Sequence, residues 1–252
     1  MKNLFNEERP TSLLDITIPK NLRILSFAPH PDDFDDIGVT MRYFKENGNP
    51  IYVCVISSGA GGVDDSFCRP PTLLEKRSVR EKEQRDSCRF FGLSENHLKF
   101  LRLKENRLGH PVDTKDNFQK TKDFFMHVKP DLVFLPHGND SNTGHQRAFK
   151  VLKHIVFKAG YPVAALLNRD PKTIDMKIDL YTPFGEKESE WKRKLLRFHK
   201  SQQQRNLIKT GYGFDERILN VNRQIAKEIG KMILYAEAFE LCFFHSKQPV
   251  SA

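Results

Sequence analysis

Cysteine is scarce in this chain. Cys54, Cys68, Cys88 and Cys242 are its four cysteines in 252 residues, and no two of them stand in a Cys-x-x-Cys spacing. That pattern excludes a dense disulfide framework and a cysteine-rich zinc ribbon, so reduced thiols in a cytoplasm are expected. Long apolar runs are missing as well: the longest, residues 51–56 and 163–167, have the length of strands and fall far short of the roughly 20 residues of a membrane span. The opening MKNLFNEERP carries acids and lacks the apolar segment of a signal peptide, so nothing there directs export. Basic residues are not interleaved with aromatics, and no helix-turn-helix, zinc-finger or RNP-like string is present, so no nucleic-acid partner is expected. There is no internal repeat and no Gly/Ser or Pro tract that would mark a linker. Residues 21–252 are therefore read as one domain and residues 1–20 as an N-terminal arm of undetermined structure.

What is present is the composition of a folded domain, 38% hydrophobic and 29% charged. Lys and Arg number 41 against 32 Asp and Glu, a formal charge of +9. Residues 186–231 alone hold twelve basic and six acidic side chains, or +6. Such a segment could meet an anionic membrane surface, nucleic acid or a phosphorylated small substrate, or could be a solvated helix face.

Residues 22–28 (LRILSFA) and 51–57 (IYVCVIS) are compact β-branched and apolar runs that pass directly into turn chemistry, the pattern of short buried strands. Between them Ile37, Met41 and Phe44 recur at helical spacing and Gly48 ends the helix, which completes a βαβ unit. Thr72 and Glu75 read as a capping box opening a charged helix that stops at Phe91-Gly92. Strands are expected over 98–103, 131–136, 163–167 and 174–180, and helices around 118–128, 145–160 and 187–205. The alternation predicts an α/β fold: a Rossmann-like, doubly wound, mostly parallel sheet with helices on both faces.

In such sheets ligands bind beyond the carboxyl ends of the strands. The first strand ends in Pro-His-Pro-Asp-Asp-Phe-Asp-Asp (29–36), and the 131–136 strand runs into His137-Gly-Asn-Asp140-Ser-Asn142-Thr-Gly-His145-Gln. Carboxylates crowded in one cleft repel unless a cation or proton compensates them. Two imidazoles and one carboxylate with a position left open suit a catalytic Zn²⁺, and the same set suits Fe²⁺. Asp35 and Asp36 have a second reading as acids in a helical first turn, and His145 a second reading as a structural histidine.

The Pro-His-Pro-Asp-Asp string resembles the signature of the LmbE-like, or PIG-L-like, metal-dependent N-deacetylases. Arg80 and Glu83 ahead of Phe91-Gly92-Leu93 resemble that family's R-x-x-E helix, and residues 129–134 (KPDLVF) its kPDvvf strand. His199-Lys-Ser201-Gln202 resembles its H-x-SQ element, and residues 235–239 (YAEAF) its AEaF element, all in the family's order. The resemblance implies Zn²⁺ held by His30, Asp33 and His145, with Asp32 as general base. It also implies Arg80 as a substrate-binding residue, although an exposed ion pair on a charged helix is an equal reading. One position departs from the pattern: where the family has His-Pro-Asp-His, this chain reads Asn142-Thr-Gly-His145. Asn142 can donate a hydrogen bond but cannot deliver a proton; His137 is a candidate substitute, and equally a core or loop histidine.

The implied chemistry is amide hydrolysis. Zinc lowers the pKa of bound water toward about 7, Asp32 takes the proton, and Asn142 or His137 steadies the oxyanion. Gly59, in the turn after the second strand, would let a sugar approach closely, or is simply a flexible turn. His199 sits on a basic helix as a substrate contact or as a surface residue. The expected function is cytoplasmic removal of an N-acetyl group from an N-acetylglucosamine-type sugar or conjugate, small and anionic. The rivals are a non-heme iron enzyme on the same ligands and a basic binding protein of the same fold without activity.

Overall fold

The computed structural model describes residues 2–5, 8–107, 109–230 and 232–244. Among them eight strands form one sheet, ordered β1-β7-β8-β6-β5-β2-β3-β4. β2 (Ile24–Ala28), β3 (Ile51–Val55), β4 (Leu98–Phe100), β5 (Leu132–Pro136) and β6 (Val163–Asn168) run parallel. β8 (Tyr235–Phe244) lies antiparallel between β6 and β7 (Leu180–Phe184), and β1 (Thr11–Ser12) pairs in parallel with β7. Every residue of β2, β5 and β6 is buried, so these strands read as continuous apolar runs rather than as alternating ones.

The two faces of the sheet carry separate cores. On one, Ile24, Val53 and Phe134 pack with Met41 and Phe44 of α1 (Gly38–Glu46), Phe91 of α2 (Leu73–Phe91) and Leu195 of α5 (Glu186–Leu196). On the other, Leu25, Phe27, Val133 and Leu135 pack with Phe125 of α3 (Lys115–Val128) and with Leu152, Ile155 and Val156 of α4 (Thr143–Ala159). Helices thus cover both faces of a mostly parallel sheet, the doubly wound arrangement that the alternation of elements implied.

Three stretches depart most from the sequence-based expectation. Residues 11–18, read as part of an arm, supply the edge strand β1 and bury Leu13, Ile16 and Ile18 in the first core. Residues 174–179 form no strand: their period-2 apolar pattern rests Met176 and Ile178 against a small cluster without a ladder, while Ile174 is exposed. The helix expected over 187–205 is two, α5 and α6 (Lys200–Thr210), because the chain turns at His199 to bury its ring completely. Helix α7 (Phe214–Ile229) and strand β8 complete the fold. Part of the basic charge in this region is paired: Lys192 is fully buried on Glu237, and the half-buried Arg193 and the exposed Arg197 both reach Asp215.

Candidate metal centre and catalytic site

The chain passes from β2 to β3 on one side and later places β5 on the other, so the loops after β2 and β5 open at a switch point in strand order. That crevice holds the first candidates. Asp33 Oδ2 accepts the backbone N–H of His30 at 2.6 Å and lies 3.2 Å from His30 Nδ1, while Asp33 Oδ1 lies 3.4 Å from His145 Nε2. The two imidazole centroids are 5.3 Å apart. One donor atom from each of His30, Asp33 and His145 falls within 4.8 Å of the others, so the structure brings this trio together. Space for it depends on Gly144, where a Cβ would stand 2.7 Å from His30 Nε2.

His145 has a second set of partners. Its Nδ1 lies 3.0 Å from Asp140 Oδ2 and 3.3 Å from Asp170 Oδ2, both buried. A carboxylate behind an imidazole fixes the tautomer and leaves the other nitrogen free for a metal. Asp140, His145 and Asp170 are themselves close enough to share an ion, but all three are buried and offer a substrate no open side, whereas His30 is only half-buried. The first trio is therefore the better metal site.

Electrostatics agree with a cation in the crevice. Burial works to raise Asp33, but His145 and His30 hold it well below the usual carboxylate range. Burial opposes a charged His145, yet Asp33, Asp140 and Asp170 raise it well above its ordinary value. Burial, with Asp140 adding to it and His145 opposing, pushes Asp170 up to about 6. Burial and then Asp32, Asp33 and Asp170 raise Asp36 well above the usual range, against Lys192. The donors are of the kinds that Zn²⁺ or Fe²⁺ accepts, and the surplus of carboxylate charge asks for a cation.

Asp32 stands beside the trio without joining it. Its φ of 134° is one that L residues rarely adopt. That backbone is held by Gln84, whose Oε1 accepts the Asp32 N–H at 2.8 Å, and the carboxylate is 3.0 Å from Arg80 Nη2. Arg80, expected as a substrate contact or an exposed pair, is only 2% exposed. Gly59 (φ 61°) lies against it, with a Cβ there 3.1 Å from Arg80 Nε.

Other candidates lie elsewhere or carry other duties. Asn142 caps α4, its Oδ1 accepting the Gly144 N–H at 2.9 Å, which leaves its amide N–H₂ for other partners. His137 turns toward β8: its Nδ1 accepts the Asn139 N–H at 3.0 Å, and its Nε2 is 3.5 Å from Glu240. His199 is neither exposed nor in the crevice. Its Nε2 is 2.5 Å from Asp35 Oδ2, which also accepts from Gln84 and Ser87, so the ring supports the glutamine that holds Asp32. Asp35 thus has a structural task.

Asp170 and Gln84 are working residues that the sequence pattern did not single out. Asp170 follows β6 and was open to the same strand-end argument that found the other loops. Gln84 had no signal short of the fold, and Glu237, marked by the AEaF-like element, received no role from the sequence.

The sequence pattern of the PIG-L family, described as GlcNAc-PI de-N-acetylase, matches residues 25–156, more than half of the chain. This chain belongs to the PIG-L family. No curated protein is significantly similar to it in sequence. Its fold is similar to that of N,N'-diacetylchitobiose deacetylase from Pyrococcus horikoshii, with TM-score 0.74, 17% identity and coverage of 96% of this chain and 89% of that one. It is also similar to 4-carboxy-2-hydroxymuconate hydratase from Pseudomonas putida, with TM-score 0.68, 18% identity and coverage of 92% and 100%. A deacetylase of teicoplanin biosynthesis gives TM-score 0.63 at 13% identity, with coverage of 88% and 98%. At these identities the likeness is one of fold, and the hydratase shows that the fold alone does not choose the reaction.

Within this PIG-L protein the remaining motif residues act as struts. Glu83 accepts from the Ser201 N–H and hydroxyl, both at 2.7 Å, and Gln202 donates to the Gly62 carbonyl at 3.2 Å. Glu237 accepts from the N–H groups of Val39 and Thr40 at the start of α1, just past the loop bearing His30 and Asp33.

Proposed function

We propose that this protein is a metal-dependent N-deacetylase that removes the acetyl group from an N-acetylglucosamine-type sugar or sugar conjugate. The observation that carries the reading is the trio of His30, Asp33 and His145 with Asp32 beside it, in a chain of the PIG-L family. Zn²⁺ is the proposed metal, with Fe²⁺ the alternative; when bound it supplies Lewis acidity to the amide carbonyl and lowers the pKa of water. Asp32 is the proposed general base: it accepts a proton as water attacks the carbonyl and returns it to the departing amine, with Arg80 fixing the carboxylate. The Asn142 amide is the proposed donor to the developing oxyanion, its own oxygen being engaged by the helix N-terminus. His137, held by Asn139 and Glu240, is left out of this machinery.

The proposed substrate is a small conjugate, and the arginines near Asp32 support an anionic one. All four cysteines are unbonded, which supports work in a reducing compartment such as the cytoplasm. No helix among the described residues is long and apolar enough to cross a membrane.

Acetate and free amine released from a panel of N-acetylglucosamine conjugates test the reaction. Elemental analysis should give about one equivalent of metal, lost in His30→Ala. Asp32→Asn should keep the metal and lose roughly 10²-fold or more in turnover. Iron with oxygen consumption and no acetate would favour the oxygenase alternative; loss of metal in Asp32→Asn would exchange the roles of Asp32 and Asp33.

A further inference from the structure

The turn that follows β4 does not stay over its own strand. Its residues 104–107 and 109–112 fold back on themselves, the Asn106 N–H donating to the His110 carbonyl at 2.8 Å and the Val112 N–H to that of Lys104 at 2.9 Å. Asn117 of α3, buried beneath, closes the base: it accepts the Lys104 N–H at 2.8 Å and donates to the carbonyls of Lys104 and Val112 at 2.9 and 2.7 Å. Two further ties carry the turn across the carboxyl edge of the sheet. On one side Glu105 accepts the N–H and hydroxyl of Ser58, just after β3, at 2.5 and 2.7 Å. On the other, Arg147 of α4 donates to the Pro111 carbonyl at 3.1 Å, and His110 Nε2 lies 3.2 Å from the hydroxyl oxygen of Thr143, where α4 begins after β5. In the sheet β2 lies between β3 and β5, so the turn passes over the strand end that bears His30, Asp32 and Asp33.

His110 is thereby brought to the crevice. Thr143, which it touches, stands between Asn142 and Gly144, and Gly144 is the residue packed against His30. Burial first, and then Arg147 and His30, lower the His110 pKa against Glu105, so the ring lies within electrostatic reach of His30 and is neutral at pH 7. A neutral imidazole accepts through one nitrogen and donates through the other. With Nε2 taking the Thr143 hydroxyl proton, Nδ1 carries the N–H. His137, the histidine singled out from the sequence, is turned toward β8 instead.

We infer that His110 is a further catalytic residue of the hydrolysis, its imidazole N–H donating to the acetyl carbonyl oxygen, beside the Asn142 amide, as that oxygen gains negative charge. The inference rests on the deacetylase reading and adds to it a donor from an element other than those bearing Asp32 and Asn142. No proton leaves His110: Asp32 keeps both proton steps, and Thr143 is the positioning residue that engages Nε2.

The turn is held by Asn117, by Glu105 and by its own backbone, so the His110 ring can be exchanged without removing those ties. His110→Phe keeps a ring and donates nothing, whereas His110→Gln loses the ring and keeps a donor. Removing one oxyanion donor costs about 10²- to 10³-fold in kcat. With Asn142 sharing the charge, His110→Phe should lose about 10- to 100-fold in kcat with KM changed less than about threefold, and His110→Gln should recover part of that loss. The substrate is the N-acetylglucosamine conjugate turned over fastest in the panel. Calorimetry on the zinc-loaded protein then compares N-acetylglucosamine with glucosamine N-methylphosphonamidate, whose tetrahedral anionic centre copies the intermediate. The preference for the phosphonamidate should fall in His110→Phe by a similar factor. An unchanged kcat in folded His110→Phe, equal impairment of the Phe and Gln variants, or an unchanged preference for the phosphonamidate would overturn the assignment. Absence of acetate from the whole panel would overturn the deacetylase reading instead, and the calorimetric comparison would still decide the place of His110.

Discussion

Replacing Lys192 with Met should cost more stability than any single change at the surface. The ammonium is fully buried and donates to Asp36 O at 2.6 Å, Asn222 Oδ1 at 2.8 Å and Glu237 Oε1 at 2.6 Å. Glu237, itself 1% exposed, also accepts the Thr40 N–H at 2.7 Å and the Thr40 hydroxyl at 2.5 Å. Met fills nearly the same space, so little cavity is created; the loss comes from a buried carboxylate left without its counter-charge. Breaking such a pair costs about 3–5 kcal/mol. A domain has only about 5–15 kcal/mol in total, so about a fifth or more would go. At this chain length the melting temperature should fall by roughly 6–20 °C. The assay is urea denaturation followed by circular dichroism, with metal chelated so that site occupancy does not enter. Adding Glu237→Gln to Lys192→Met should return much of the loss, since it removes the stranded charge. A loss below about 1 kcal/mol in Lys192→Met, or a double variant no better than the single, would show that the pair does not hold the start of α1.

At the metal site, adding Zn²⁺ at a thousand times its dissociation constant should stabilise the chelated protein by about 4 kcal/mol in a thermal scan, and His30→Ala should remove that shift. Asp140→Asn should weaken metal binding by about 10- to 100-fold in a chelator competition, because it loosens the support behind His145. Gly144→Ala should weaken metal binding although Ala is the better helix former, by up to about 1 kcal/mol; an unchanged metal dissociation constant would show that the 2.7 Å approach to His30 is relieved at no cost. Against its burial, His145 is raised well above its ordinary value by Asp33, Asp140 and Asp170, which favours the imidazolium in the metal-free protein. Binding must then release a proton and tighten as pH rises from 6 to 8, which calorimetry in two buffers of different ionisation enthalpy will read.

The sequence and the structure agree best where chemistry and local backbone rules coincide. Thr72, Gly92 and Asn142 act at helix ends as their residue types imply, and the buried strands β2, β3, β5 and β6 follow from unbroken apolar runs. The meeting of the loops after β2 and β5 was legible because strand ends converge at a switch point, whereas the choice of His30, Asp33 and His145 within them came from the family resemblance. His199 was not, since a histidine in a basic stretch looks exposed until Asp35 is seen beneath it. Residues 174–179 mislead for a related reason: alternation reports which side chains are buried, not whether a ladder partner is present. The N-terminal segment escapes because a two-residue strand has no period, and its place is set by β7, some 170 residues later.

Glu237 also places the centre in time. It caps the start of α1 across 198 residues of chain, and the helix it caps begins directly after the loop bearing His30, Asp32 and Asp33. During synthesis at about 5–20 residues per second, that loop waits roughly 10–40 s for the strand that anchors it. Until β8 enters between β6 and β7 the sheet is divided, and α1 lacks the carboxylate that accepts its first N–H groups. A chain interrupted before Glu237 therefore contains His30, Asp32 and Asp33 but lacks the carboxylate that fixes the helix following them.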